Sequence, residues 1–137
     1  FEEAVRDADF VTLHIPATPE NARFLDAARI ARMRRDAWLI NTARGAVVHE
    51  NDLYDALASG RLAGAALDVF EREPYVPSDP ARDLRSLPNA ILTPHTGSNT
   101  AEANRRMAER ALRNVALAEA GDLAALDLLN PAVLAQR

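Results

Sequence analysis

Four short apolar runs recur along the chain, and the segments between them carry apolar residues at helical rather than alternating spacing. The run 10–15, Phe-Val-Thr-Leu-His-Ile, is β-branched and apolar over a strand's length, and Pro16 ends it because proline cannot donate to a ladder. Runs 37–43, 63–69 and 89–93 predict three further strands. Between the first two, Asp26 is placed to cap a helix over 27–34 that turns Ile30 and Met33 inward. Between the next two, Leu53, Tyr54, Leu57 and Ala58 form a 3.6-residue stripe that Gly60 closes. Residues 1–8 read as the end of a helix, and 70–88 as an irregular stretch. Residues 101–120 read as a long helix capped from Ser98, Asn99 or Thr100 and ended by Gly121.

Strand, helix, strand, helix, strand, loop, strand, helix is the alternation of a parallel sheet with right-handed crossovers. The expected class is therefore α/β, a Rossmann-like doubly wound parallel sheet of about four strands followed by a long C-terminal helix. Only its second half is expected. The glycines are Gly45, Gly60, Gly64, Gly97 and Gly121, so no G-x-G-x-x-G occurs, and that turn with its later acidic residue would lie before Phe1. Without an initiator methionine ahead of Phe1, the chain reads as a piece of something longer. The expected division is 1–120 as the C-terminal half of a dinucleotide-binding domain, including the long helix, and 121–137 as a tail.

Composition narrows the classes. A formal charge of -4 and a pI near 5.3 leave no basic footprint for nucleic acid or an anionic membrane surface. No apolar segment reaches the roughly 18 residues of a membrane span. The absence of cysteine removes thiolate metal sites, disulfides and cysteine nucleophiles, and fits a reducing cytoplasm. The arginines 105, 106, 110 and 113 alternate with Glu102 and Glu109, which reads as a solvated helix face.

Chemistry-bearing residues gather where the runs stop. Arg44-Gly45 follows the second run, Asp68 with Glu71 and Glu73 the third, and His95 the fourth. In a parallel sheet all these ends share one edge, where α/β ligands bind. Arginine holds a carboxylate through two parallel hydrogen bonds, and histidine beside a carboxylate exchanges protons near neutral pH. An Arg44 clamp with a Glu73–His95 pair suits reduction of a 2-oxo acid, with hydride taken from a nicotinamide. From type and position alone, plainer readings stay open. Arg44 also reads as a structural ion-pair partner, Glu71 and Glu73 as surface acids, and Asp68 as a cap on backbone amides. His14 reads as strand packing, and His49 as a solvent-facing residue at a helix start.

Three segments in order tip this balance: Asn41-Thr42-Ala43-Arg44-Gly45; Gly64 to Pro74, reading Gly-Ala-Ala-Leu-Asp-Val-Phe-Glu-Arg-Glu-Pro; and Thr93-Pro94-His95-Thr96-Gly97-Ser98. Together they resemble the signatures of the D-isomer-specific 2-hydroxyacid dehydrogenases, over about residues 7–114. The resemblance implies a substrate-binding role for Arg44, an acid/base role for His95 and a supporting role for Glu73. Glu71 matches a variable position and receives none. Ile15, Pro16, Asn21, Thr42, Ala43, Arg44, Asp68, His95 and Gly97 are implied to line the cofactor, with Asn21 on its pyrophosphate side and Asp68 near the carboxamide. The implied cofactor is NAD, with NADP left open; no metal is implied. The implied partner is a small 2-oxo or 2-hydroxy acid, and the full-length protein is expected to be a homodimer. The family's N-terminal substrate domain and glycine-rich half are missing from these residues, so the chain alone is expected to be inactive. The alternatives are a dinucleotide-sensing, corepressor-like binding protein of the same fold, and a scaffold or dimerisation piece.

Overall fold

A computed structural model describes residues 1–136; Arg137, the end of the expected tail, lies outside the described residues. By internal contacts the chain forms two compact units, Phe1–Gly97 and Ser98–Arg137. The long helix therefore groups with the tail, although the sequence placed the boundary at 120.

The first unit opens with α1 (Glu2–Val5) and builds a sheet of β1 (Phe10–Leu13), β2 (Trp38–Asn41), β3 (Gly64–Leu67) and β4 (Ala90–Leu92). All pairs are parallel and the spatial order is the chain order. The strands are shorter than the apolar runs, because ladder pairing stops where each run bends into its loop.

α2 (Ala27–Ile30) and α3 (Glu50–Ala58) fill the first two crossovers. Asp26 caps α2 as expected, its carboxylate accepting the Arg29 N–H at 2.9 Å. α2 stops at Ile30 rather than 34, and its following turn still buries Met33. Two crossovers of one hand running in one direction place both helices on the same sheet face. Strand burial follows. Val11, Leu13, Leu39, Ala65 and Leu67 are buried with Ile30, Leu53, Ala56 and Leu57, whereas Phe10 is 66% and Ile91 58% exposed on the other face. Within α3 the buried position is Ala56 and not the expected Ala58, since it lies three residues from Leu53 on the covered face. Gly60, at φ +66°, closes α3 in the left-handed conformation expected of it.

In the second unit α4 (Ala101–Glu119) is capped by Thr100, whose hydroxyl accepts the Ala103 N–H at 3.1 Å. Ion pairs Glu102–Arg106 and Arg105–Glu109 lie along it, and Arg110 pairs with Asp127. Gly121 follows at φ +75°. Among the described residues no helix is long and apolar enough to cross a membrane.

Candidate active site

Because the sheet is parallel, the residues after Leu13, Asn41, Leu67 and Leu92 emerge at one edge. Asn41, 1% exposed, converts the end of β2 into a tight turn. Its Oδ1 accepts the Ala43 N–H at 3.1 Å and its Nδ2 donates to the Arg44 carbonyl at 3.0 Å. The turn pushes Arg44 out of the sheet, and its exposed side chain donates to the Ala43 carbonyl at 2.7 Å. Gly45 is buried directly behind it. A Cβ there would lie 1.8 Å from the Phe70 carbonyl carbon and 2.5 Å from the Glu71 nitrogen.

That same stretch carries Glu73. One of its oxygens, Oε1, accepts the Phe70 N–H at 3.0 Å, and the other, Oε2, lies 2.7 Å from His95 Nδ1. Both side chains stay partly open to solvent, Glu73 at 36% and His95 at 45%. The His95 contact, then the Phe70 amide and the nearby Arg44 charge, hold the Glu73 carboxyl below its usual range. With Nδ1 engaged, Nε2 is the ring nitrogen left for proton exchange.

His95 has φ +53°, a conformation non-glycine residues rarely adopt, so neighbouring contacts must hold it. Asp68 provides them. Its Oδ1 accepts the Thr93 hydroxyl at 2.5 Å and the Thr96 N–H at 2.9 Å, and its Oδ2 the Gly97 N–H at 2.9 Å. The Thr93 hydroxyl first, then the Thr96 and Gly97 amides, hold the Asp68 carboxyl below its usual range. Gly97 eases this approach, since a Cβ there would come within 3.1 Å of Asp68 Oδ2, closer than an ordinary contact.

Two clefts flank these groups. One, about 540 Å³, opens past β1 and β2 between His14, Ile15, Pro16, Ala17, Ala43 and Arg44. Its volume falls within the ~300–1,000 Å³ of small-molecule sites. A mixed wall of polar and apolar groups carrying one guanidinium, at the carboxyl edge of a parallel sheet, fits a dinucleotide. Asn21 braces this rim by donating from Nδ2 to the Pro16 carbonyl at 3.0 Å, and Thr42 is exposed beside it. The other cleft, about 360 Å³ and largely apolar, runs along Phe70, Pro74, Tyr75 and Leu92 to the Glu73–His95 pair. Among the described residues no cluster of His, Asp or Glu is placed to hold a metal.

The remaining candidates settle elsewhere. His14 is exposed, 3.0 Å from the Thr12 hydroxyl, and not packed inside the strand, because positions 12 and 14 face the open side of the sheet. His49 is half-buried rather than solvated, with Nδ1 2.8 Å from Asp52 Oδ2. Glu71 lies 3.3 Å from Arg23 Nε. Sequence reasoning gave no role to Asn41 or Thr93. Their one available signal was a polar side chain just where the large apolar residues of a run give out, at which point it meets orphan backbone groups.

Comparison with known proteins agrees with this architecture. Residues 1–97 match the family described as D-isomer specific 2-hydroxyacid dehydrogenase, NAD binding domain. A glyoxylate reductase of Korarchaeum cryptofilum is 43% identical over 122 residues, covering 89% of this chain and 36% of that protein. The crystal structure of the TT0316 protein of Thermus thermophilus superposes with a TM-score of 0.80 at 47% identity, over 88% of this chain and 37% of that one. A D-lactate dehydrogenase from Aquifex aeolicus, solved with NAD and lactic acid, gives a TM-score of 0.79 at 32% identity, over 90% and 40%. The chain thus spans about a third of the length of the curated glyoxylate reductases it matches. With four parallel strands in sequence order and the family match across the whole sheet unit, the chain belongs to the D-isomer-specific 2-hydroxyacid dehydrogenases, in their NAD-binding domain.

Proposed function

We propose that this chain contributes the acid/base pair, the substrate arginine and part of the NAD site to an enzyme interconverting a small 2-oxo acid and its D-2-hydroxy acid. The observation that carries this reading is the 2.7 Å contact of Glu73 with His95 Nδ1 at the sheet edge that also bears Arg44. When bound, the nicotinamide supplies or accepts the hydride, which no side chain can do. The chain's own residues do the rest. Ile15, Pro16, Thr42 and Ala43 wall the cofactor, Asn21 braces their rim, and Asp68 and Gly97 fix the loop beyond it. The Arg44 fork holds the substrate carboxylate. His95 Nε2 gives its proton to the carbonyl oxygen on reduction and takes it back on oxidation. Glu73 orients the ring and stabilises its charged form.

This reading includes a homodimer working in a reducing cytoplasm, and it gives the 137-residue chain no turnover alone. The test is a chimera in which this chain replaces the matching segment of the K. cryptofilum glyoxylate reductase. NADH oxidation with glyoxylate is expected, with a loss of about 10²–10⁴-fold in kcat for His95→Gln. A folded dimeric chimera that binds NADH without turnover would overturn the enzymatic reading in favour of a dinucleotide-sensing binding protein.

A further inference from the structure

Glu50, the first residue of α3, is a glutamate with 6% exposure that the chemistry above does not use. Its Oε1 accepts the Glu71 N–H at 2.5 Å. The Phe70–Glu71 peptide it grips is the one against which Gly45 is pressed, and the Phe70 N–H, one residue earlier, is held by Glu73. A continuous path therefore runs from the Arg44–Gly45 turn, across this peptide, to Glu73 and His95. α3 itself begins only six residues after Arg44, so Glu50 ties both ends of the path to one rigid element.

We propose that Glu50 is a positioning residue: by holding the Glu71 amide it sets the Arg44 loop and the Glu73–His95 pair at a fixed separation. Geometry accounts for this better than charge does. Burial pushes the Glu50 carboxyl above its usual range, partly offset by the Glu71 amide, and the Glu71 carboxylate pushes it up further. A buried charge beside a like charge is costly, and what the site gains in return is the contact. The inference rests on the proposed function for its consequence, while its structural content stands alone.

Two substitutions separate reach from charge. Glu50→Gln keeps an oxygen at the same distance without the charge; Glu50→Asp keeps the charge but withdraws the oxygen by about one C–C bond, ~1.5 Å. Glu50→Ala removes both, and Leu57→Ala, in the buried face of the same helix, controls for loss of stability alone. In the isotope-labelled chain, NMR would follow the hydrogen exchange of the Glu71 amide and the titration of the Glu73 carboxyl. Glu50→Ala and Glu50→Asp are expected to speed Glu71 exchange about tenfold relative to the Leu67 amide. They should also move the Glu73 titration up toward the ordinary glutamate value. Glu50→Gln and Leu57→Ala should leave both near wild type. Wild-type behaviour in Glu50→Asp, or loss in Glu50→Gln matching that in Glu50→Ala, would overturn the proposal. These readouts need neither cofactor nor substrate. A failure here leaves the dehydrogenase reading standing, and an inactive chimera leaves the Glu50 contact standing.

Discussion

Gly45→Ala perturbs the seam on which the site is built. Added to the present backbone, the alanine methyl would lie 1.8 Å from the Phe70 carbonyl carbon and 1.9 Å from its oxygen. Neither is a flexible side-chain tip, so no rotamer change relieves the clash. Restoring an ordinary contact requires the Arg44 and Glu73 loops to part by about 1.5 Å, since non-bonded carbon contacts become unfavourable below roughly 3.4 Å. Overpacking of this kind costs typically about 1–3 kcal/mol, and here the backbone on both sides places it at or above the upper value. For a unit of this size about 3 kcal/mol is a fall of roughly 12 °C in Tm. Gly60→Ala is the control. Gly60 has φ +66° and nothing lies within 4 Å of where an added methyl would stand, so its cost is backbone strain alone, about 1 kcal/mol or ~4 °C. Thermal unfolding by circular dichroism compares the two. A Gly45→Ala midpoint no lower than that of Gly60→Ala would refute the packing argument. If the variant folds, displacement beyond about 1 Å should cost on the order of 10²-fold in turnover of the chimera.

Three further outcomes follow from the same contacts. Asn41→Leu keeps the branching pattern but orphans the Ala43 N–H and the Arg44 carbonyl, so a loss of about 2–4 kcal/mol is expected in urea unfolding; an unchanged midpoint would show that these bonds do not hold the turn. Asp68→Asn presents an amide donor to one of the donors that Asp68 now satisfies, so Tm should fall by about 4–10 °C and Gly97 amide exchange should accelerate; neither change would mean the His95 turn holds itself. The pH dependence has two opposing parts. Glu50, whose carboxyl is raised in the fold, contributes stability at low pH that is lost as pH rises through its folded value. Asp68 and Glu73, whose carboxyls are lowered, contribute stability at higher pH that is lost as pH falls through theirs. Stability should therefore peak in mild acid, just above the ordinary carboxylate range, and drop below it. Glu50→Gln should flatten the neutral side of that peak in a series of thermal melts, and a peak unchanged by the substitution would refute the assignment.

Parts of this molecule were legible in the sequence because one residue type does one thing there. A β-branched run ended by Pro16 read as β1, and Asp26 before Ala27 read as a cap, since each signal is local and its partner lies within one turn. The pairing of Glu73 with His95 spans 22 positions, yet position at strand ends pointed to it, because a parallel sheet brings such ends together whatever lies between. The lengths of the strands and the extent of α2 were not legible. Hydrophobic runs continue past the last ladder bond wherever the next turn is also buried, as Met33 is after α2.

The residues that hold the site were harder to read than those proposed to carry its chemistry, for a physical reason. Arginine and histidine announce themselves by functional groups that water would otherwise solvate at a sheet edge. Asn41, Glu50 and Asp68 act on backbone N–H and C=O groups, which every residue possesses, so nothing in the partner's identity marks the contact. Asp68 was open to reading both as a cap on amides and as a cofactor neighbour, and its geometry makes these compatible. Its oxygens are engaged by Thr93, Thr96 and Gly97, and by fixing that loop it fixes where His95 can stand. Substituting such a residue should change the distance between reactive groups without changing which groups react. Losses at Asn41 and Glu50 should accordingly overlap rather than add, because both restrain the seam between the Arg44 turn and the Phe70–Glu71 peptide, and a seam already opened by one substitution has less left to lose.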